Sequence, residues 1–249
     1  MRSETGRTRP NAVRELLLVG SLFLAYKLGR VLISGHVGEA FAAAGRVWSL
    51  ERWLHLPSEA ALQQLVLGDA WLVRSANAYY AWVHFPATAA VLLWAYLRRP
   101  DLYRWARTRL AVLTAAGFAV HVMLPLAPPR LAVAGMVDTG HAVGPSVYGP
   151  STAAFTNQFA AMPSLHVGWA ALVAVVLVLG LRSRLRWLWL LYPALTLLVV
   201  VVTANHYWLD AAVALALLAA DLALLAHRPG PAIRTRVVTR PRQRASVSP

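Results

Sequence analysis

An all-α membrane protein, a bundle of six transmembrane helices with an interfacial helical segment between the first two spans, is predicted by three features. The mean hydropathy is +0.52, with 58% hydrophobic and only 14% charged residues, outside the range of ordinary soluble domains. Apolar runs of about twenty residues recur along the chain, the length that a hydrocarbon core of roughly 30 Å demands. Lys and Arg fall in the gaps between those runs rather than on one soluble face. The net charge of +14 therefore reads as membrane orientation and not as nucleic-acid binding. With no cysteine, disulfides and thiolate metal sites are excluded.

Residues 1–14 are a basic segment carrying Arg2, Arg7, Arg9 and Arg14. The first span, 16–34, resembles a signal peptide in charge but lacks a small-residue cleavage site, so it is expected to be retained. Lys27 and Arg30 near its outer end suit snorkelling to the interface. Residues 39–69 mix Ala, Leu and Trp with Glu39, Arg46, Glu51, Arg52 and Glu59, too polar to span and periodic enough to lie flat on the interface. The second span, 71–97, crowds Tyr79, Tyr80, Trp82 and His84 into its first half, as an interface favours. Arg98, Arg99, Arg104, Arg107 and Arg109 lead into the third span, 110–126, which Pro128 and Pro129 stop. Residues 127–161, rich in Gly, Pro, Ser and Thr, make a loop long enough to be functional, with Tyr148 and Asn157 as candidate headgroup contacts, Asn157 being equally suited to capping a turn. The fourth span runs from Pro163, a favoured first helical position, to 181. Arg182, Arg184 and Arg186 separate it from the fifth, 187–202, and the sixth is 207–226. Residues 228–249 form a basic tail, expected to be disordered and to meet anionic lipid. The membrane catalytic domain is thus 15–227.

Eighteen of the 24 Lys and Arg residues fall before span one, between spans two and three, between four and five, or after six. By the positive-inside rule both termini of this multi-pass cell-membrane protein are cytoplasmic. Arg130, the segment 163–166 and the segment 205–210 then all emerge on the external face.

These three segments carry the chemistry. An ionisable residue at the edge of a membrane helix is expensive, so Asp210 calls for a partner, and His206 lies four residues before it. His166 sits on the first turn of a helix whose free N–H groups and positive dipole end favour an anion such as phosphate. Arg130 adds a fixed cation, and with Ser164 it completes the expected phosphate-binding set. A phosphate held there leaves His206, oriented by Asp210, to attack phosphorus and His166 to protonate the leaving oxygen. The scheme needs no metal and no cofactor.

Pro163-Ser164-Leu165-His166 and His206-x-x-x-Asp210, with Ala127-Pro128-Pro129-Arg130 upstream, resemble the type 2 phosphatidic acid phosphatase superfamily. The likeness is nearer to its inositol phosphorylceramide synthase-like branch of phosphotransferases. The resemblance implies a six-helix membrane bundle, a phosphohistidine on His206, Asp210 as its orienter, His166 as general acid and Arg130 as phosphate ligand. It implies a lipid phosphate or phospholipid substrate. The phosphatase pattern has a lysine where this chain has Met123 and an arginine where it has Val200, and both departures fit the synthase-like branch.

The other histidines read more plainly. His36, His55, His141 and His227 are expected to be hydrogen-bonded core residues, and His84 and His121 either line the pocket or pair with backbone carbonyls. Two rival readings without this chemistry are a membrane haem protein, using pairs among His84, His121, His166 and His206, and a lipid translocator. The second gives Asp210 no reason to sit behind His206.

Overall fold

The computed structural model describes residues 10–18, 20, 21, 24, 36–147 and 158–224. Most of the first span with Lys27 and Arg30, the loop residues Tyr148 and Asn157, His227 and the basic tail lie outside the described residues. Every regular element described is helical, and the one bridge, between Leu126 and Ala160, is isolated. Residues 12–18 are helical, and from residue 36 onward the elements are, in chain order, α1 (Val37–Trp53), α2 (Glu59–Leu67), α3 (Ala70–Trp82), α4 (His84–Arg98), α5 (Pro100–Met123), the short α6 (Pro129–Ala132) and α7 (Thr139–Val143), and α8 (Leu165–Gly180). A 3₁₀ turn (Arg184–Leu190) leads into α9 (Leu191–Val202), and α10 (Trp208–Leu224) follows.

Local sequence explains most boundaries. His55, at φ 55°, ends α1 in the left-handed position that usually follows a helix. The Ser58 hydroxyl accepts the Ala61 N–H to start α2, and Asp69 accepts the N–H groups of Trp71 and Leu72 to start α3. Pro100 occupies the first turn of α5, where its missing N–H costs nothing.

Three expectations need correction. The run 71–97 is not one straight span: it bends by 45° between α3 and α4. Pro86 lacks an N–H and its ring crowds the Trp82 carbonyl, which accounts for the break. The helix expected from Pro163 begins at Leu165: Ser164 is extended (φ −72°, ψ 95°) and serves as the N-cap, its carbonyl accepting the first helical N–H, from Gly168, while its own N–H bonds the Asp210 carbonyl (2.9 Å). Residues 39–69 do not simply lie flat with their charges outward. Glu51, Glu59 and Gln63 are completely buried, and Ala40, Ala43 and Ala44 pack against Leu126, Ala127, Ala161, Met162 and Tyr207.

The centre of the bundle is α8, which touches α4, α5, α9 and α10. Glycines permit the close crossings. A Cβ on Gly117 would stand 2.7 Å from the Leu165 side chain, and one on Gly180 2.6 Å from Trp94. Between α5, α8 and α10 lies an apolar cluster of Leu102, Ala106, Leu113, Leu172, Val176 and Leu218. At its edge Arg109 pairs with Asp221 at 3.2 Å, with both side chains almost fully buried. The continuous run Arg184–Val202 is long and apolar enough to cross a membrane, and the bent α3–α4 pair passes the same measure when taken together. Helix α8 is apolar but only 16 residues long.

The Arg109–Asp221 pair yields a stability test. Arg109→Met strands a buried carboxylate and should destabilise by about 3–5 kcal/mol, whereas the double change Arg109→Met with Asp221→Leu should recover most of the loss. Thermal unfolding of the detergent-solubilised variants measures both; equal losses in the single and double variants would contradict it.

Candidate active site

Hydrogen bonds tie the three predicted segments into one floor. Leu126 donates to the Phe159 carbonyl (2.9 Å), the Arg130 N–H to Ala204 (2.9 Å) and the Ser164 N–H to Asp210 (2.9 Å). The turn that presents His206 is the C-terminal cap of α9. The Ala204 N–H bonds to the Val201 carbonyl and the Asn205 N–H to Val200, with Ala204 at φ 54°, which together make a Schellman motif. That turn delivers the chain directly into α10.

Asp210 is the third residue of α10, and its Oδ2 reaches back to the Tyr207 N–H (2.9 Å), one half of a capping box. The same oxygen is 3.2 Å from His206 Nδ1. The imidazole has a nearer partner, since Nδ1 is 2.8 Å from the Ala161 carbonyl. A carbonyl only accepts, so Nδ1 carries the proton and Nε2 carries the lone pair. Burial, opposed by the Ala161 bond and aided by the nearby Arg130 cation, pushes His206 down to about 4. It is therefore neutral at physiological pH, with a nucleophilic nitrogen.

The Arg130 side chain is 1% exposed, and its Nη1 donates to Asn205 Oδ1 (2.6 Å) and its Nε to Asp138 Oδ2 (3.2 Å). The loop bearing it is held from α2 and α3. Gln63 exchanges two hydrogen bonds with the Val137 backbone and also bonds the Val202 carbonyl, while Asn77 bonds the carbonyls of Thr139 and Gly144. His166, on the first turn of α8, stacks on Tyr80 with ring centroids 4.4 Å apart and lies 5.9 Å from His206. The Ser164 hydroxyl is buried without a hydrogen-bond partner and does not cap its own helix. All five predicted site residues thus meet at one end of α8.

The remaining histidines divide. His121 pairs with the Pro163 carbonyl (3.1 Å), one of the two uses expected of it. His84 is buried with its ring 4.6 Å from that of His166, beside the site. His36, His55 and His141 are exposed, not core, and His141 pairs with Asp138. Their segments run along the surface, where solvent satisfies an imidazole without packing. Met123, 83% exposed, and Val200, wholly buried, are apolar, so neither side chain brings a cation. Among the described residues no group of three or more His, Asp or Glu side chains is arranged to hold a metal ion.

Sequence reasoning missed the supports: Asn205, Asp138, Gln63, Asn77, Glu51 and Glu59. Asn205 adjoins His206 and was open to notice, as was the Asp138 carboxylate in a nearly uncharged loop. Nothing local distinguishes the others from surface polar residues.

A buried histidine, backed by a carboxylate and set beside an arginine and a helix N-terminus in an all-helical chain, is a grouping whose charges suit an anionic group such as phosphate. The PAP2 superfamily model matches residues 45–224, and the chain belongs to this superfamily, the type 2 phosphatidic acid phosphatases. Membership points to a phosphatase-type enzyme with a lipid phosphate substrate and to association with membranes. No curated protein and no solved structure gives a significant match.

His206 also fixes a pH dependence. Its ordinary value is 6.5 and its folded value about 4, so the unfolded chain binds more protons between these limits and acidification through that window weakens the fold. Above about pH 6.5 the effect vanishes. Melting temperatures compared at about pH 7 and about pH 5 should fall further for the wild type than for His206→Asn. An equal fall in both would contradict the assignment.

Proposed function

We propose that the chain is a membrane-embedded phosphatase or phosphotransferase acting on a lipid phosphate or phospholipid headgroup through a phosphohistidine intermediate on His206. One observation carries the reading: His206 is buried and neutral, its Nδ1–H faces the Ala161 carbonyl and Asp210, and its Nε2 keeps a lone pair beside Arg130. Arg130, Ser164 and the first N–H groups of α8 bind the phosphate oxygens. Nε2 attacks phosphorus, the bond to the leaving oxygen breaks, and His166 gives that oxygen its proton. The substrate's own phosphate is the counter-charge that an imidazolium at His166 requires. Asp210 and the Ala161 carbonyl stabilise the cationic phosphoimidazole, the role of a triad carboxylate. Water or an alcohol then attacks phosphorus, His166 takes its proton, and Nε2 departs.

The membrane setting rests on the surface. Trp53, Trp71, Trp82, Phe85, Trp187, Leu188 and Leu191 are each more than half exposed, an apolar surface that water tolerates poorly. In this reading the six spans are 16–34, the bent α3–α4 pair, α5, α8, the 3₁₀ turn with α9, and α10. Both termini are cytoplasmic, and the site opens outward. The apolar residues at Met123 and Val200 favour the synthase-like, transferring branch over plain hydrolysis.

The test is turnover of purified protein on a panel of lipid phosphates and phosphodiesters, with and without inositol or another alcohol. His206→Ala should abolish both turnover and any trapped phosphoenzyme. His166→Ala should slow departure of a basic leaving group and be partly rescued by p-nitrophenyl phosphate, which needs little protonation. Asp210→Asn should cost about a thousandfold or more in kcat. Rescue of His206→Ala by the activated ester, with His166→Ala inactive, would reverse the roles.

Metal dependence gives a second check. With Arg130 neutralising the phosphate, EDTA should leave the rate unchanged. Loss of activity restored by one specific divalent ion would overturn this.

A further inference from the structure

We infer that Glu51 and Glu59 form a proton-sharing carboxyl pair that positions the catalytic turn through the Leu209 N–H, a role for α1 and α2 in the chemistry of His206. The catalytic half of this inference rests on the function proposed above.

Both side chains are completely buried and come from different helices. Glu51 Oε1 accepts the Leu209 N–H at 2.8 Å, across 158 residues of sequence. Leu209 is the second residue of α10, so its N–H is one of the donors that a helix leaves unsatisfied at its start. Glu51 serves as a cap supplied from another helix. Glu59 Oε2 accepts from Arg52 Nη2 at 3.1 Å, and Arg52 in turn lies over the Trp48 ring and bonds the Pro57 carbonyl. The leftover oxygens, Glu51 Oε2 and Glu59 Oε1, are both buried and have no partner as long as both groups are counted as carboxylates. One proton between them satisfies both.

The surroundings say where that proton resides. Burial, the hydrogen bond to Glu59 and the negative charges of Glu59 and Asp210 raise Glu51 to about 9, against the opposing pull of the Leu209 N–H. The groups facing it are Glu59 on α2, Arg52 on its own helix, and Asp210 with the Tyr207 phenol at the start of α10. Arg52 is already the partner of Glu59. At neutral pH Glu51 is therefore the acid, keeping its proton and donating it in a hydrogen bond to Glu59 while its other oxygen accepts from Leu209. A neutral Glu51 also spares the site a second anion next to Asp210, which would repel a phosphate. Above about pH 9 that anion appears and the cap is strained by three carboxylates in one buried space.

The decisive variants, in the full chain, are Glu51→Gln and Glu51→Ala. Glutamine reproduces both hydrogen bonds, accepting from Leu209 and donating to Glu59, but cannot ionise. The wild type should lose kcat as the pH rises through about 9, and Glu51→Gln should keep kcat near wild type on the best substrate of the panel without that alkaline fall. Glu51→Ala should lower kcat by about a hundredfold with little change in KM, since the turn is misplaced rather than the phosphate contacts removed. In wild-type protein at neutral pH the infrared carbonyl band of a protonated carboxylic acid should be present and should vanish in Glu51→Gln. A glutamine variant as inactive as the alanine one, an alkaline limb that persists in it, or alanine activity equal to wild type would overturn the inference. If the alanine variant does not fold, the glutamine pH profile and the infrared band still decide. Absence of activity on every substrate refutes the proposed function, whereas absence of the acid band refutes the pair.

Discussion

Everything near the candidate active site depends on how the first turn of α10 satisfies its backbone while buried. A helix start exposes N–H groups that water would ordinarily take, and here, with Tyr207 and Asp210 buried and Leu209 partly so, protein groups take them instead. The Tyr207 N–H goes to Asp210, the Leu209 N–H to Glu51, and the Asp210 carbonyl receives the Ser164 N–H. Three segments far apart in sequence therefore meet on one turn. Asp210, which caps the helix, also lies 3.2 Å from His206 Nδ1, so the stability of the turn and the placement of the imidazole are one requirement. Trp208 adds a further tether, its indole N–H bonding the Pro57 carbonyl.

The electrostatic design follows from the same enclosure. In a low-dielectric setting an uncompensated charge is expensive, and each charge at this site has a partner in reach. Arg130 is held between Asp138 and Asn205, which fixes its cation in position without a ligand, so binding of the proposed phosphate would need little reorganisation. Gln63 and Asn77 clamp the intervening loop from behind. Ala204, a residue with a Cβ in the left-handed region, carries about 1–2 kcal/mol of backbone strain. The Schellman bonds and the Arg130 N–H on its carbonyl hold it there, an arrangement common where a turn must deliver a functional residue.

The residues that gather at the candidate site were legible from sequence because their signal is local and runs against its background. A histidine and a carboxylate four apart at the edge of an apolar run, a Pro-Ser-Leu-His start to another, and a Pro-Pro-Arg stop are each visible within a few residues. Charge between the runs then placed them at one end, and the backbone bonds from Arg130 to Ala204 and from Ser164 to Asp210 bring them together. The break at Val83 was also within reach, since Pro86 lies just beyond it.

By itself the sequence determined the helical class, the order of the apolar runs, the superfamily motifs and the five residues that meet at the end of α8. These follow from hydropathy period, charge placement and short-range spacing, all properties of neighbours along the chain. Only the tertiary structure decided that Nδ1 of His206 faces the Ala161 carbonyl as well as Asp210, and that Glu51 and Glu59 are interior groups. In α1 a glutamate amid alanines has the same spacing whether it faces water or a helix start. The choice was made by Leu209, because a partly buried N–H at a helix start needs an acceptor, and the one it finds comes from 158 residues away.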